Sequence, residues 1–315
     1  MTTIDTLEEA EAPFAGSKVA ETKGPRSSRF GDLWWRYLVS LIAIAFAIFP
    51  VLYVISAAFN PVPSLSTASL IPSSFTLENF REILTNPEIQ GERTNVHYAN
   101  WYLNSMIVST AAAFMTVILG ALAAYAFSRF RFKGRRMGML TLLLIQMFPQ
   151  FLAIVAIYLI LLRTGAIFPL IGLNSLAGLV IVYLAGALGV NAWLMKGFFD
   201  SIPNELDESA RVDGATPAQV FWGIILPLGA PVLAVVGLLS FIATMNEFII
   251  ASRLLQTTTK QTLPVGMYGF ISDQYGQRWG PFCAGVVLAA IPVVLLFLFL
   301  QRFIVHGLTS GSVKG

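Results

Sequence analysis

Six long apolar runs, separated by polar stretches, dominate the pattern of the chain; they cover residues 37–59, 104–127, 138–162, 174–195, 224–250 and 284–304. An α-helix needs about 20 mostly apolar residues to cross the hydrocarbon core of a bilayer. All six runs meet that length. A charge at the centre of such a helix costs roughly 2.5–3.5 kcal/mol on insertion scales, and the central portions of the runs hold none. The pattern predicts an all-α membrane protein with six transmembrane helices.

The polar stretches are unequal. Residues 60–103 contain Pro61, Pro63, Pro72 and Pro87 and a short helical pattern at 77–84. Residues 253–281 are polar, with Gly266, Gly269, Gly276 and Gly280, and read as a long accessible loop. Pro50, Pro149, Pro227, Pro231 and Pro292 punctuate the runs, where neighbouring helices can re-satisfy the freed backbone groups. Between runs four and five, Ser201 and Pro203 mark a helix start and Gly214 suits a left-handed helix end. A helix of about ten residues is implied. Thr216-Pro217-Ala218-Gln219 then has the form of a capping box with Pro at the first helical position, restarting a helix into run five. The product is a bent arm in which Leu206, Ser209, Ala210 and Asp213 share one face at helical spacing.

Charge sets the orientation. With the N-terminus inside, five of the 20 Lys and Arg residues precede run one, five lie between runs two and three, two between four and five, and two at the C-terminus. The other six spread over the longer outer stretches, so the positive-inside rule predicts both termini in the cytoplasm. The expected division is a cytoplasmic tail at 1–36, a six-helix domain at 37–304 with the bent arm at about 196–223, and a cytoplasmic tail at 305–315. The first 36 residues hold no apolar signal-peptide core; the tail turns from acidic to basic near the membrane, where Trp34, Trp35 and Tyr37 mark the interface.

Composition narrows the function. At 56% hydrophobic and 12% charged residues, with a mean hydropathy of +0.72, the chain has too little polar surface for a soluble fold of this size. Its net charge of +3 is a topology signal rather than a nucleic-acid footprint. One cysteine, Cys283, and two distant histidines, His97 and His306, give no metal-ligand spacing and no nucleophile–base pair, which argues against a membrane enzyme. Gln146, Gln150 and Asn191 are expected to hydrogen-bond between helices. Glu247 and Asn246, near the end of run five, are candidates for a transport pathway. An ion-coupled secondary transporter is the main alternative, but it would normally show midplane ionisable residues and related broken helices. No Gly-Lys pair exists, so no Walker A loop is present.

Glu208-Ser209-Ala210, then Gly214, then Ile224-x-Leu226-Pro227 carry the strongest signal. This pattern resembles the EAA loop of ABC-importer permeases, with Ser209 in place of the usual first Ala. Leu263-Pro264-Val265-Gly266-Met267 and the terminus from Gly307 to Gly315 resemble the carbohydrate branch of that family, most closely the MalG-type permease of maltose/maltodextrin importers. The resemblance covers roughly residues 37–315. It implies that Glu208 and its neighbours couple to a separate ATPase dimer, which would use ATP and Mg. It also implies that the tail Ser310, Gly311, Ser312, Val313, Lys314 and Gly315 reaches that ATPase. Leu263 to Met267 would face an extracytoplasmic solute-binding protein. A second homologous permease and the lipid of an inner membrane complete the implied surroundings. The chain itself is expected to hold no cofactor.

Overall fold

In the computed structural model, residues 30–61, 74–85, 88–89, 92–93, 96–272 and 277–310 are described. The chain divides into two units, up to Pro50 and from Val51 onward. The first contributes the N-terminal part of α1 (Phe30–Ala58), a helix that begins seven positions before the first apolar run. The second contains α2 (Glu78–Thr85), a two-residue ladder of β1 (Glu88–Ile89) with β2 (Glu92–Arg93), and α3 (Tyr98–Arg129). There follow α4 (Arg135–Met147), α5 (Ile154–Ile167), α6 (Leu176–Asp200), α7 (Asn204–Val212), α8 (Pro217–Val220), α9 (Leu226–Leu228), α10 (Ala230–Met245), α11 (Ile249–Leu254), α12 (Leu263–Ile271) and α13 (Trp279–Ser310).

Among the described residues, three helices are long and apolar enough to cross a membrane: Trp34–Ala58, Tyr98–Arg129 and Trp279–Phe303. Three bent pairs meet the same criterion, so the six apolar runs correspond to as many as six spans. Breaks of 76° between α4 and α5 and of 77° before α10 lie beside Pro149 and Pro227. A third break, of 55°, divides α6 between Gly186 and Gly189, with no proline nearby. Run five is therefore not one straight helix: a π-helical turn at Phe221–Ile225 leads into it, it bends at Gly229, and its main helix ends at Met245.

At the centre is α3, which packs against α6, α10 and α12. Its buried positions include Ser105, Ser109, Ala112, Ala113, Thr116, Gly120, Ala121 and Ala124. Small residues at helical spacing let backbones approach closely where no water is present to drive association. Three apolar clusters gather along this helix: one around Trp101, Met245 and Met267, one around Tyr125, Phe199 and Phe221, and one around Val108, Leu161 and Leu254.

The segment 253–281 differs from the accessible loop expected of it. Thr262 precedes α12, whose Leu263, Gly266, Met267 and Phe270 are buried. Trp101 donates through Nε1 to Thr258 O at 2.7 Å, Asn104 donates to Thr259 O and Gln261 O at 3.0 and 2.9 Å, and Ser105 Oγ accepts from Leu263 N at 2.7 Å. Pro264 and Val265 are half-buried, and Tyr268 is the exposed residue of the helix.

Candidate functional site

At the end of the bundle where α3 and α6 finish, α7 forms the bent arm. Pro203 occupies its N-cap position, and Gly214 takes a left-handed φ of 86° just beyond its end. Ala215 N returns to Ala210 O at 2.9 Å, closing the turn. Thr216 then caps α8 in both directions: its Oγ1 accepts from Gln219 N at 3.3 Å, and its own N donates to Gln219 Oε1 at 2.7 Å.

The arm presents Leu206, Glu208, Ser209 and Asp213 to the surface, with Ala210 half-buried. Ser209 Oγ donates to Leu206 O at 3.1 Å, a bond local to the helix. Val212 is 87% exposed. Glu208 is thus on the exposed side of the helix.

Asp207 faces the other way, and sequence reasoning missed it. It is the one fully buried residue of α7. Arg129 Nε lies 2.8 Å from Asp207 Oδ2, with both side chains only 4% exposed. The contact is one of charge rather than a well-aligned hydrogen bond, because Arg129 Nε and both Asp207 oxygens lack a hydrogen-bond partner among the described residues. Arg129 also donates to Asn204 Oδ1 and Ile202 O, each at 2.9 Å. Nearby, Asp200 accepts from Ser128 Oγ at 2.7 Å and pairs with Lys196. The available signal was the i,i+3 spacing of Asp207 and Ala210, which puts them on one face, together with a basic residue closing the second apolar run.

A second polar site lies within the bundle. A cleft of ≈ 330 Å³ is lined by Thr116, Gln146, Tyr183, Asn191, Ser240 and Glu247, among others. Glu247 Oε1 accepts from Ile250 N at 2.7 Å, and Oε2 accepts from Ala251 N at 3.0 Å and from the Tyr183 hydroxyl. The carboxylate therefore caps the first turn of α11 while lining the cleft. Asn246 is exposed and donates to Ile242 O at 2.9 Å; it does not join Glu247 in the cleft. Gln146 and Asn191 make the expected bonds between helices, Gln146 to Gly186 O and Val190 N, and Asn191 to Ser240 Oγ at 3.5 Å. Tyr183, Thr116 and Ser240 were not singled out, because hydroxyls inside apolar runs are common helix-packing groups.

Ser310 ends α13, and Gly311 to Gly315 lie outside the described residues, as do residues 1–29 of the expected tail. Among the described residues, no group of three or more His, Cys, Asp and Glu is placed to hold a metal ion.

The helices long and apolar enough to span a membrane, three of those spans bent, together with the polar cleft and the short exposed arm, suit a transport permease. Residues 116–310 match the family described as binding-protein-dependent transport system inner membrane component, and the chain belongs to that family. It is 38% identical over 287 residues to the galactooligosaccharides transport system permease protein GanQ of Bacillus subtilis (strain 168), covering 91% of this chain and 97% of that one. Over 295 residues it is 38% identical to the maltose/maltodextrin transport system permease protein MalG of Escherichia coli (strain K12), covering 92% and 98%. A chain from the crystal structure of a bacterial ABC transporter involved in the import of the acidic polysaccharide alginate has a TM-score of 0.70 at 23% identity, covering 88% of this chain and 98% of that chain. That likeness shows a shared fold. The chain is a permease subunit of an ABC importer, and ATP hydrolysis belongs to a separate chain.

Proposed function

We propose that this permease carries a neutral oligosaccharide of the maltodextrin or galactooligosaccharide class inward across a bacterial inner membrane. The observation that supports this is the identity of 38% to sugar permeases over about nine tenths of the chain. Both termini and α7 are cytoplasmic in this reading, as the clustering of Arg129, Arg131, Lys133, Arg135 and Arg136 beside the arm favours. A dimeric ATPase, using ATP and Mg, docks on the exposed face around Leu206, Glu208, Ser209 and Val212. Its closure pushes α7, and the bent arm passes the motion to α8 and α10. Asp213 and Gly214 set the angle of the arm, and residues 310–315 reach the same ATPase. A second, homologous permease completes the pathway, and a solute-binding protein delivers sugar at the opposite end. There α12 forms a packed wall: Leu263, Gly266 and Met267 hold its position, leaving Tyr268 for contact with that protein.

The test is reconstitution of the chain with its partner permease, ATPase and binding protein in liposomes. Sugar accumulation that requires ATP is the expected result. Accumulation that follows an imposed ion gradient without ATP would overturn the proposal in favour of a secondary transporter.

A further inference from the structure

The arm is too short and too exposed to hold its own position. Isolated helices of fewer than about 12–15 residues are marginal in water, and α7 has nine residues. Its apolar contact with the bundle is slight: Leu206 is 40% exposed and Val212 87%, and Ala210 alone is half-buried, against the cluster around Tyr125, Phe199 and Phe221. The one fully buried side chain of the helix is Asp207, against Arg129 at the last position of α3.

We propose that Arg129 and Asp207 are positioning residues that set the rotation and height of α7, and so aim Glu208 at the ATPase; this rests on the coupling role given above. Successive helix residues lie about 100° apart around the axis. Holding Asp207 inward therefore turns Glu208 outward. Arg129 reaches three points of the arm at once: Ile202 O, Asn204 Oδ1 and Asp207 Oδ2, at 2.9, 2.9 and 2.8 Å. A guanidinium with three fixed contacts resists both rotation and sliding, where an apolar contact would let the helix roll. Buried ion pairs contribute little net stability but penalise misplacement, since either charge alone in the interior is uncompensated. The pair thus links α7 rigidly to α3, the helix that packs on α6, α10 and α12. Motion of the arm is transmitted to the bundle instead of being absorbed in the turns at 201–203 and 213–216.

The experiment compares the parent with Asp207→Asn, Asp207→Glu and Arg129→Lys in the complete reconstituted complex. It measures assembled complex, ATP hydrolysis stimulated by sugar-loaded binding protein, and sugar transported per ATP. Asp207→Asn is expected to lower transport per ATP at least five-fold in the complex that assembles. Asp207→Glu should restore it to within about two-fold of the parent. Arg129→Lys keeps the charge but loses the fork, should assemble even if Asp207→Asn does not, and should also lower the ratio at least five-fold. A purely structural role predicts less complex with an unchanged ratio, and that result for Arg129→Lys or Asp207→Asn overturns the proposal. A parent complex with no ATP-dependent uptake sinks the functional reading and the positioning role together; a coupled parent with equally coupled variants sinks only the latter.

Discussion

Single residues carry constraints that reach across the chain. At Gly266 an added Cβ would lie 2.1–2.4 Å from the Trp101 indole. Trp101 is 1% exposed and bonded through Nε1 to Thr258, so it has nowhere to retreat. Gly266→Ala should destabilise the purified protein by about 1–3 kcal/mol, the usual cost of overpacking, seen as a lower thermal midpoint in detergent. An unchanged midpoint would mean that α12 can lift from α3. Glu82 offers a different handle. It lies on α2, is 8% exposed, pairs with Arg278 and leaves Oε1 without a hydrogen-bond partner among the described residues. Burial raises its pKa above the usual 4.5, outweighing the opposing effect of Arg278. The folded protein therefore binds more protons than the unfolded chain just above pH 4.5, and the Glu82 contribution to stability falls as pH rises through that window. Thermal midpoints taken from pH 4.5 to 7 should show this downward contribution in the parent and its loss in Glu82→Gln; parallel curves would refute it.

Among the elements, the break in α6 has an identifiable cause. Gln146 bonds Gly186 O and Val190 N, the acceptor and donor that an unbroken helix pairs with each other. A side-chain amide inserted in the ladder is a recognised source of kinks. Gly189 permits the approach, since a Cβ there would lie 2.6 Å from Leu142 O and 3.0 Å from the Gln146 amide carbon. Gln146→Leu removes the insert, and an unpaired buried backbone group costs about 1–3 kcal/mol. Closing the ladder is the cheaper relaxation, so the 55° bend should shrink. Spin labels at Ile181→Cys and Gly197→Cys, in a Cys283→Ser background, should move apart; an unchanged distance would place the cause of the bend elsewhere. This break shows where sequence reading stops. The proline at each of the other two breaks is visible because its missing N–H acts locally, whereas the α6 break depends on a residue 40 positions away. The same holds for α12: its glycines suggested a loop, and Gly266 is explained only by the Trp101 indole packed beneath it. By contrast, the arm was legible in detail, because Pro203, Gly214 and Thr216 act within one turn of themselves. Asp207 was not, since its partner is on another helix.

For the whole molecule, α3 connects both ends. Its 32 residues span about 48 Å at 1.5 Å per residue, well beyond a hydrocarbon core of about 30 Å. The Tyr98 end holds the 258–263 segment through Trp101, Asn104 and Ser105, and the Arg129 end holds the arm. Those two sites must therefore open to opposite sides of the membrane, whichever way the chain inserts. Five Lys and Arg residues between 129 and 136 favour the cytoplasm for the arm. Val212 and Thr259 are both exposed, and Cys283, the chain's single cysteine, is buried. In a Cys283→Ser background, with the chain expressed without the ATPase that would cover Val212, a membrane-impermeant thiol reagent added outside intact spheroplasts should label Thr259→Cys and spare Val212→Cys, with the order reversed in inside-out vesicles. Labelling of Val212→Cys from outside would invert the topology and remove α7 from reach of any cytoplasmic ATPase. Labelling of both from one side would contradict the membrane-crossing path of α3 itself. If the expected order is found, Glu208→Lys supplies the functional counterpart: the exposed side chain should leave insertion intact while ATP hydrolysis stimulated by the binding protein and uptake fall together. Parental uptake by that variant would reduce Glu208 to a solvated helix face and shift the coupling contact to Leu206 and Val212.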